Sequence, residues 1–243
     1  MSSRILITLT TGILLGMMLC TSGCQKPESA TTTAESDEEE TQEQPEEYGY
    51  YGELIAAAGE CAIKNSGEKP ENYDFSSVIY MKKDWDYGTL GYLIKDIDGN
   101  GTRELIFGGN ADESSSWYDG IIYDIYTISD GELVHVLDGW ERSRYFLCEN
   151  GMIAHEGSGS AFDGENSYFT LEGDELHFVE SVAWNYEGDS GAWVCYYASE
   201  SGSDTENAEM EMIRAEQADA VIEKYVYERI EFIPFEGSSG PDW

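Results

Sequence analysis

The chain of 243 residues carries 49 acidic side chains against 13 basic ones, a formal charge of -36 at neutral pH. A surface this acidic repels phosphate backbones and anionic headgroups, which argues against nucleic acid as a partner and favours divalent cations. So large a charge also opposes compaction by self-repulsion, and bound cations relieve it.

Arg4 opens a short basic region, followed by a predominantly apolar run of 15 residues over 5–19. That length is short for a membrane span and right for the hydrophobic part of a signal peptide. The run ends at Leu19-Cys-Thr-Ser-Gly-Cys24, small residues leading to a cysteine. This stretch resembles a bacterial lipoprotein lipobox. The resemblance implies a signal peptide over 1–23, a lipid-modified N-terminus at Cys24, and anchoring at the extracytoplasmic face of a bacterial cell membrane. Ordinary secretion with cleavage nearby is the plainer alternative. Two or more acyl chains on one cysteine anchor stably, where a single chain is marginal.

Residues 24–47 read as a tether, with nine acids, one Lys and no large apolar side chain. Such a segment buries too little to offset chain entropy, and its charges extend it. Residues 48–243 are long enough for one well-formed core and are expected to make a single monomeric domain. They hold Cys61, Cys148 and Cys195. One disulfide with a free thiol, or three buried thiols, both fit; the absence of any CxxC leaves a zinc or thioredoxin-type reading without support.

In residues 53–64, Leu54, Ala57, Ala58, Cys61 and Ala62 share one face at helical spacing, with Gly67 as a stop beyond. Residues 77–81 are expected as a strand, and residues 90–94 as a buried strand. Then comes Asp96-Ile-Asp-Gly-Asn-Gly-Thr-Arg-Glu104, which offers oxygen at alternating positions: Asp96, Asp98, Asn100, the carbonyl of Thr102, and Glu104. Gly101 stands sixth, where a calcium loop turns sharply; calcium takes six to eight oxygens, which a loop of this spacing can wrap around one point. A polar turn without metal is the bland alternative. An EF-hand needs a bidentate Glu at the twelfth place, and Phe107 stands there.

The apolar segment 105–107 and Gly108-Gly109 follow, so the loop lies between two strands. The stretch 90–109 resembles the calcium loops of integrin-type FG-GAP and related VCBS repeats. Asp96, Asp98, Asn100 and Glu104 match the side-chain ligand places, with Asn and Glu standing where that family commonly has Asp. More broadly the chain resembles a group of uncharacterised lipoproteins from Gram-positive bacteria with one such loop in a β-rich domain. That resemblance carries no activity with it.

Residues 121–128 and 132–137 are rich in β-branched and aromatic side chains around Asp130-Gly131, a strong hairpin signal. Further turns are expected at Asp138-Gly139, Asn150-Gly151, Gly173-Asp174 and residues 187–191. Residues 126–136 echo 169–179 at an offset of 43, near the period of a propeller blade, but two copies do not close a propeller. The expected fold is mainly β (α+β): an antiparallel hairpin meander, incomplete propeller-like or sandwich, with an N-terminal helix and a short C-terminal helix over 215–224. Residues 226–235 are expected as a last strand, at an edge because of Pro234.

No catalytic constellation is legible. Gly188-Asp-Ser-Gly191 looks like the nucleophile loop of trypsin-like proteases, but the segment that supplies the base is absent, and a hairpin turn explains it. His135, His155 and His177 have no metal-ligand spacing and read as sheet-face residues. Trp117, Trp140, Trp184 and Trp193 are open to two readings, a stacking platform for sugars or peptides and cross-strand packing. Three functional classes follow: a non-catalytic surface module binding carbohydrate or protein, marked by an exposed aromatic patch; a lipid-anchored hydrolase acting on carbohydrate or peptide; and a purely structural envelope lipoprotein.

Overall fold

In a computed structural model, residues 47–64, 66–81, 89–110, 120–199 and 210–235 are described. The signal peptide, Cys24, nearly all of the tether, and Trp117 lie outside the described residues. Among the described residues, no helix is long and apolar enough to cross a membrane.

The protein is mainly β. Among the described residues, eleven antiparallel strands form one continuous sheet: β1 (Thr89–Lys95), β2 (Glu104–Asn110), β3 (Ile121–Ser129), β4 (Glu132–Asp138), β5 (Ser143–Leu147), β6 (Ile153–Gly157), β7 (Asp163–Glu172), β8 (Glu175–Glu187), β9 (Ala192–Ser199), β10 (Glu211–Ile213) and β11 (Ile233–Pro234). The order across the sheet is β10-β9-β8-β7-β6-β5-β3-β2-β1-β11, with β4 paired to β3. It is the meander, not the sandwich. Strands adjacent in sequence pair because short turns join them.

Helix α1 (Glu47–Lys64) starts earlier than the apolar spacing indicated. The added turn brings Tyr51 into the core, fully buried with Leu54, Ala58 and Ala62 against Leu90, Leu105, Phe107 and Tyr123. Residues 77–80 form a short helix α2 and not a strand. Ser76 caps it, its hydroxyl oxygen accepting the Val78 amide at 3.2 Å, and Val78 and Ile79 pack into the same core. An N-cap serine satisfies an orphan amide of the first turn, and this outweighed the β propensity of Val and Ile. Helix α3 (Ala215–Ile222) buries Ala218 and Val221, which pack with Tyr225 against Phe146, Ala154, Tyr168 and Val182.

The opposite face of the sheet folds onto itself. Ile106, Ile122, Ile125, Leu147, Ile153 and Leu171 form one cluster there, and Leu93, Ile97 and Leu176 pack against it. Strands β1 and β7 are separated in the sheet by β2, β3, β5 and β6. Their side chains meet only because the sheet curls, as the right-handed twist of long antiparallel sheets allows.

The echo is structural. Tyr126 pairs with His135 and Phe169 with Phe178, and each hairpin carries a register shift just before that pair, between Ile125 and Tyr126 and between Tyr168 and Phe169. A bulge bends its strand and increases local twist, so the repeated device curls the sheet twice. At the first tip Asp130 and Gly131 both have positive φ (52° and 81°), the type I′ geometry that Asp-Gly favours.

One turn and one strand differ from expectation. Gly139 does not turn the chain: its amide donates to the Tyr123 carbonyl at 2.6 Å, and the reversal falls at Glu141 and Arg142, closed by a Trp140–Ser143 bridge. Residues 226–235 do not form one strand: Tyr227 makes an isolated antiparallel bridge with Cys148, and β11 pairs beside β1 at the sheet edge. The apparent alternation there reflects Ile230 and Phe232 anchoring an irregular segment, whose Phe232 amide and carbonyl bond to the Asn110 side chain at 2.9 Å each. The three cysteines are free; Cys148 is buried, while Cys61 and Cys195 are only partly so.

Candidate metal centre and neighbouring sites

Lys95 and Glu104 are cross-strand partners, so the acidic loop is the connection of the β1–β2 hairpin. Gly99 and Gly101 adopt φ of +74° and +95°, a region that side chains with a Cβ avoid, and this lets the chain wrap back over its own carboxylates. Asp96 accepts the amides of Gly99 (2.7 Å) and Gly101 (3.1 Å). Asp98 accepts the Asn100 amide at 3.0 Å and the Asn100 side-chain nitrogen at 2.8 Å. Asn100 Oδ1 in turn accepts the Thr102 amide at 2.6 Å.

Glu104 lies beneath the loop and is fully buried. Its Oε2 accepts the Ile97 amide at 2.8 Å and its Oε1 the Thr127 hydroxyl at 3.1 Å. Burial pushes its pKa up to about 7, the bonds from Ile97 and Thr127 oppose this, and the Asp98 charge adds to it. Asp96, Asp98 and Glu104 each present a carboxylate oxygen within 4.8 Å of the others. Lys95, the nearest lysine in sequence, is turned away to Glu228 at 2.5 Å.

The donor set is all oxygen and anionic, which suits a hard divalent cation and not a soft one. A carboxylate has about four lone-pair sites, so Asp96 with two amide donors retains acceptor capacity. Among the five sequence-predicted ligands, the carboxylates of Asp96, Asp98 and Glu104 converge. Asn100 and Thr102 contribute to the shape of the loop through the bonds given above, and the fit of a cation rests on the three carboxylates.

The loop is tied to the rest of the molecule at three points. The Tyr51 hydroxyl donates to the Arg103 carbonyl at 2.8 Å, Ile97 packs into the curled face, and Asp98 Oδ2 accepts the Gly173 amide at 2.9 Å.

Sequence reasoning missed two histidine networks. Asp124 is fully buried and accepts the Ser76 amide (2.9 Å) and a bond with His135 Nε2 (2.9 Å). Burial drives Asp124 up to about 6, against the pull of His135. His135 itself is raised: burial opposes its charge, but the Asp124, Asp138 and Asp74 carboxylates outweigh it. On β5 and β6, Ser143 Oγ lies 2.9 Å from His155 Nε2, and burial lowers the His155 pKa. Both pairs join residues 11 or 12 apart across neighbouring strands. Only the strand register makes them neighbours, so no local motif announces them.

The tryptophans divide. Trp140 stands exposed in the β4–β5 connection. Trp184 and Trp193 lie on paired strands of the β8–β9 hairpin, and Trp193 is the cross-strand partner of Tyr186, with ring centroids 5.5 Å apart. The Gly188–Gly191 segment is the turn of that hairpin, as expected. Comparison with protein-family models, with curated proteins and with solved structures finds no match.

Proposed function

We propose that this protein is a lipid-anchored extracytoplasmic surface protein whose β domain holds a structural calcium ion, and that it acts as a non-catalytic binding or accessory module. The convergence of Asp96, Asp98 and Glu104 within 4.8 Å carries the calcium reading. The residues that hold the ion are these three, completed by Asn100 and the Thr102 carbonyl as the loop spacing indicates. The ion offsets three carboxylates that otherwise repel, one of them out of contact with water.

The test is a thermal melt of the purified protein in 5 mM calcium and in EDTA at matched ionic strength. For a site of about 0.5 mM affinity, within the range of extracellular modules, calcium adds about 1.4 kcal/mol. For a domain of this size that is roughly 3–6 °C. An unchanged melt reduces the loop to a polar turn. The anchor is tested separately, by labelling with an alkyne fatty acid: incorporation is expected in the parent and lost in Cys24→Ala.

The second reading, a lipid-anchored hydrolase, is favoured by one observation, the Ser143–His155 contact, since a nucleophile needs a base in hydrogen-bond reach. Covalent labelling by a fluorophosphonate, abolished in Ser143→Ala, distinguishes it.

A further inference from the structure

On the face of the sheet that carries α3, an open cleft of about 870 Å³ lies between β5–β8 and the chain leaving α3. Its size falls within the range of ligand pockets. Trp184 forms part of its wall. The indole lies flat over β7 at Gly164, where a Cβ would stand 2.5 Å from the ring, so the glycine is required for this placement. Arg142, Arg144, Glu156, Asn166 and Tyr227 complete the part of the wall that matters here.

Two features of this wall are unusual for the molecule. In a chain with 49 acids, neither Arg142 nor Arg144 makes an ion pair among the described residues; Arg144 Nε donates only to the Glu141 carbonyl, at 2.9 Å. Glu156, by contrast, is held in place by the Tyr227 hydroxyl at 2.7 Å, and Tyr227 is stacked on Phe146 at 4.5 Å. The cleft thus offers planar donors and planar acceptors fixed at short range, without a net excess of positive charge.

The aromatic surface continues out of the cleft. Tyr186 is two residues beyond Trp184 on β8 and so shares its face. Tyr186 meets Trp193 at 5.5 Å and Phe162 at 5.8 Å. Phe162 is 62% exposed and Trp193 is 53% exposed. Large aromatic rings left in water beside a polar cleft are what a binding surface presents, not what packing requires.

We propose that the cleft and the row Trp184–Tyr186–Trp193–Phe162 form one binding site for a neutral oligosaccharide. This rests on the reading of the protein as a surface binding module and names its ligand class. Three arguments select the class. The overall charge repels polyanions. The ionised lining disfavours a lipid tail, which would strand those groups without partners. A sugar ring satisfies both parts of the surface: its C–H face meets the negative π-face of an aromatic ring, and its vicinal hydroxyls both donate and accept toward Arg144, Glu156 and Asn166.

The experiment is tryptophan fluorescence and calorimetric titration of the full-length protein in detergent micelles. The probes are cellohexaose, xylohexaose, mannohexaose and chitohexaose, with oligogalacturonate and a mixed-sequence decapeptide as comparators. At least one neutral hexasaccharide is expected to bind below millimolar and to shift the emission. Trp193→Ala is expected to weaken it at least fivefold, and Arg144→Ala at least tenfold. Trp193 is half exposed, so its loss leaves the fold intact, which an unchanged melt verifies. No binding by any neutral probe, binding of the comparators alone, or saccharide binding indifferent to both substitutions overturns the inference. The calcium response and fatty-acid labelling are read on the same preparation. A protein that shows both and binds no saccharide overturns this inference alone; one that binds saccharide without them overturns the earlier reading alone.

Discussion

Asp98 Oδ2 accepts the backbone amide of Gly173 at 2.9 Å, across 75 residues of chain. The first hairpin loop is thereby fastened to the tip of the β7–β8 hairpin, four strands away in the sheet. Beneath the bond, Ile97 packs into the cluster that contains Leu171. The candidate metal loop is therefore also the latch of the curled sheet, and Asp98 takes part in both, whereas Asp96 bonds only within the loop.

The double role of Asp98 is testable. Asp98→Ala removes the latch together with one carboxylate of the cation site; it is expected to cost about 1–2 kcal/mol already in EDTA, because it strands a turn amide and loses two loop bonds, and to weaken the calcium response as well. Asp96→Asn keeps an acceptor for the Gly99 amide but removes one of the three carboxylates available to a cation. It is expected to change the melt in EDTA by only a degree or two and to abolish the calcium response. Equal stability of the two variants in EDTA contradicts a latch at Asp98.

Acidity is expected to stabilise the metal-free protein over part of its range. Asp124 is raised to about 6 from an ordinary value near 3.8, and His135 is raised above 6.5. In both cases the folded state holds a proton that the unfolded chain has released. Stability therefore falls as pH rises from about 4 through 7, with a limiting slope of about 1.4 kcal/mol per pH unit per proton. Chemical denaturation in EDTA at pH 5 and pH 7.5 measures it. Asp124→Asn is expected to flatten the slope while keeping an acceptor for the Ser76 amide.

The sequence shows strand positions well where a turn announces them. Asp130-Gly131, Asn150-Gly151 and Gly173-Asp174 each need left-handed backbone, and a glycine takes positive φ at each. The convergence of Asp96, Asp98 and Glu104 was legible for the same reason, since the loop is local. Two other kinds of feature were not. Residues 77–80 became a helix because the Ser76 hydroxyl caps them and Asp124, 48 residues on, holds the Ser76 amide. Residues 226–235 read as one strand because Ile230 and Phe232, alternate core anchors, lie between the Tyr227 bridge and β11. The aromatic row was partly legible: Trp184 and Trp193 stood out, but that Tyr186 joins them and Phe162 extends them depends on the register of three strands.

Gly91 shows how the sheet edge is held. A Cβ there would lie 2.2 Å from the Ile233 carbonyl oxygen, a backbone atom of β11 that cannot swing aside. Gly91→Ala is expected to displace β11 and loosen Phe235, which is buried against Phe107 at 5.6 Å between rings. The cost is expected at about 2–3 kcal/mol, typical of overpacking. Faster amide exchange confined to β1 and β11 locates the damage; uniform acceleration over the whole sheet contradicts a local edge effect.

Glu180 fixes α3, and with it one wall of the cleft. It is nearly buried and accepts Tyr197 Oη (2.8 Å), Lys224 Nζ (2.8 Å) and Tyr225 Oη (2.7 Å). Burial alone would raise its pKa, but the lysine and the two phenols prevail and lower it, so its contribution is present above about pH 4.5 and lost as pH falls through the lowered value. Glu180→Ala strands both phenols and is expected to cost about 2–4 kcal/mol. Lys224→Ala is expected to cost under about 1 kcal/mol, because the lysine is half exposed and water replaces the pair. The decisive reading is hydrogen exchange: in Glu180→Ala, α3 and Tyr225 open while β1–β3 stay protected. Because Ile222 and Tyr225 line the cleft, the same variant is expected to weaken saccharide binding without touching the calcium response. Loss of the calcium response in that variant would mean that the two ends of the sheet are coupled and not independent.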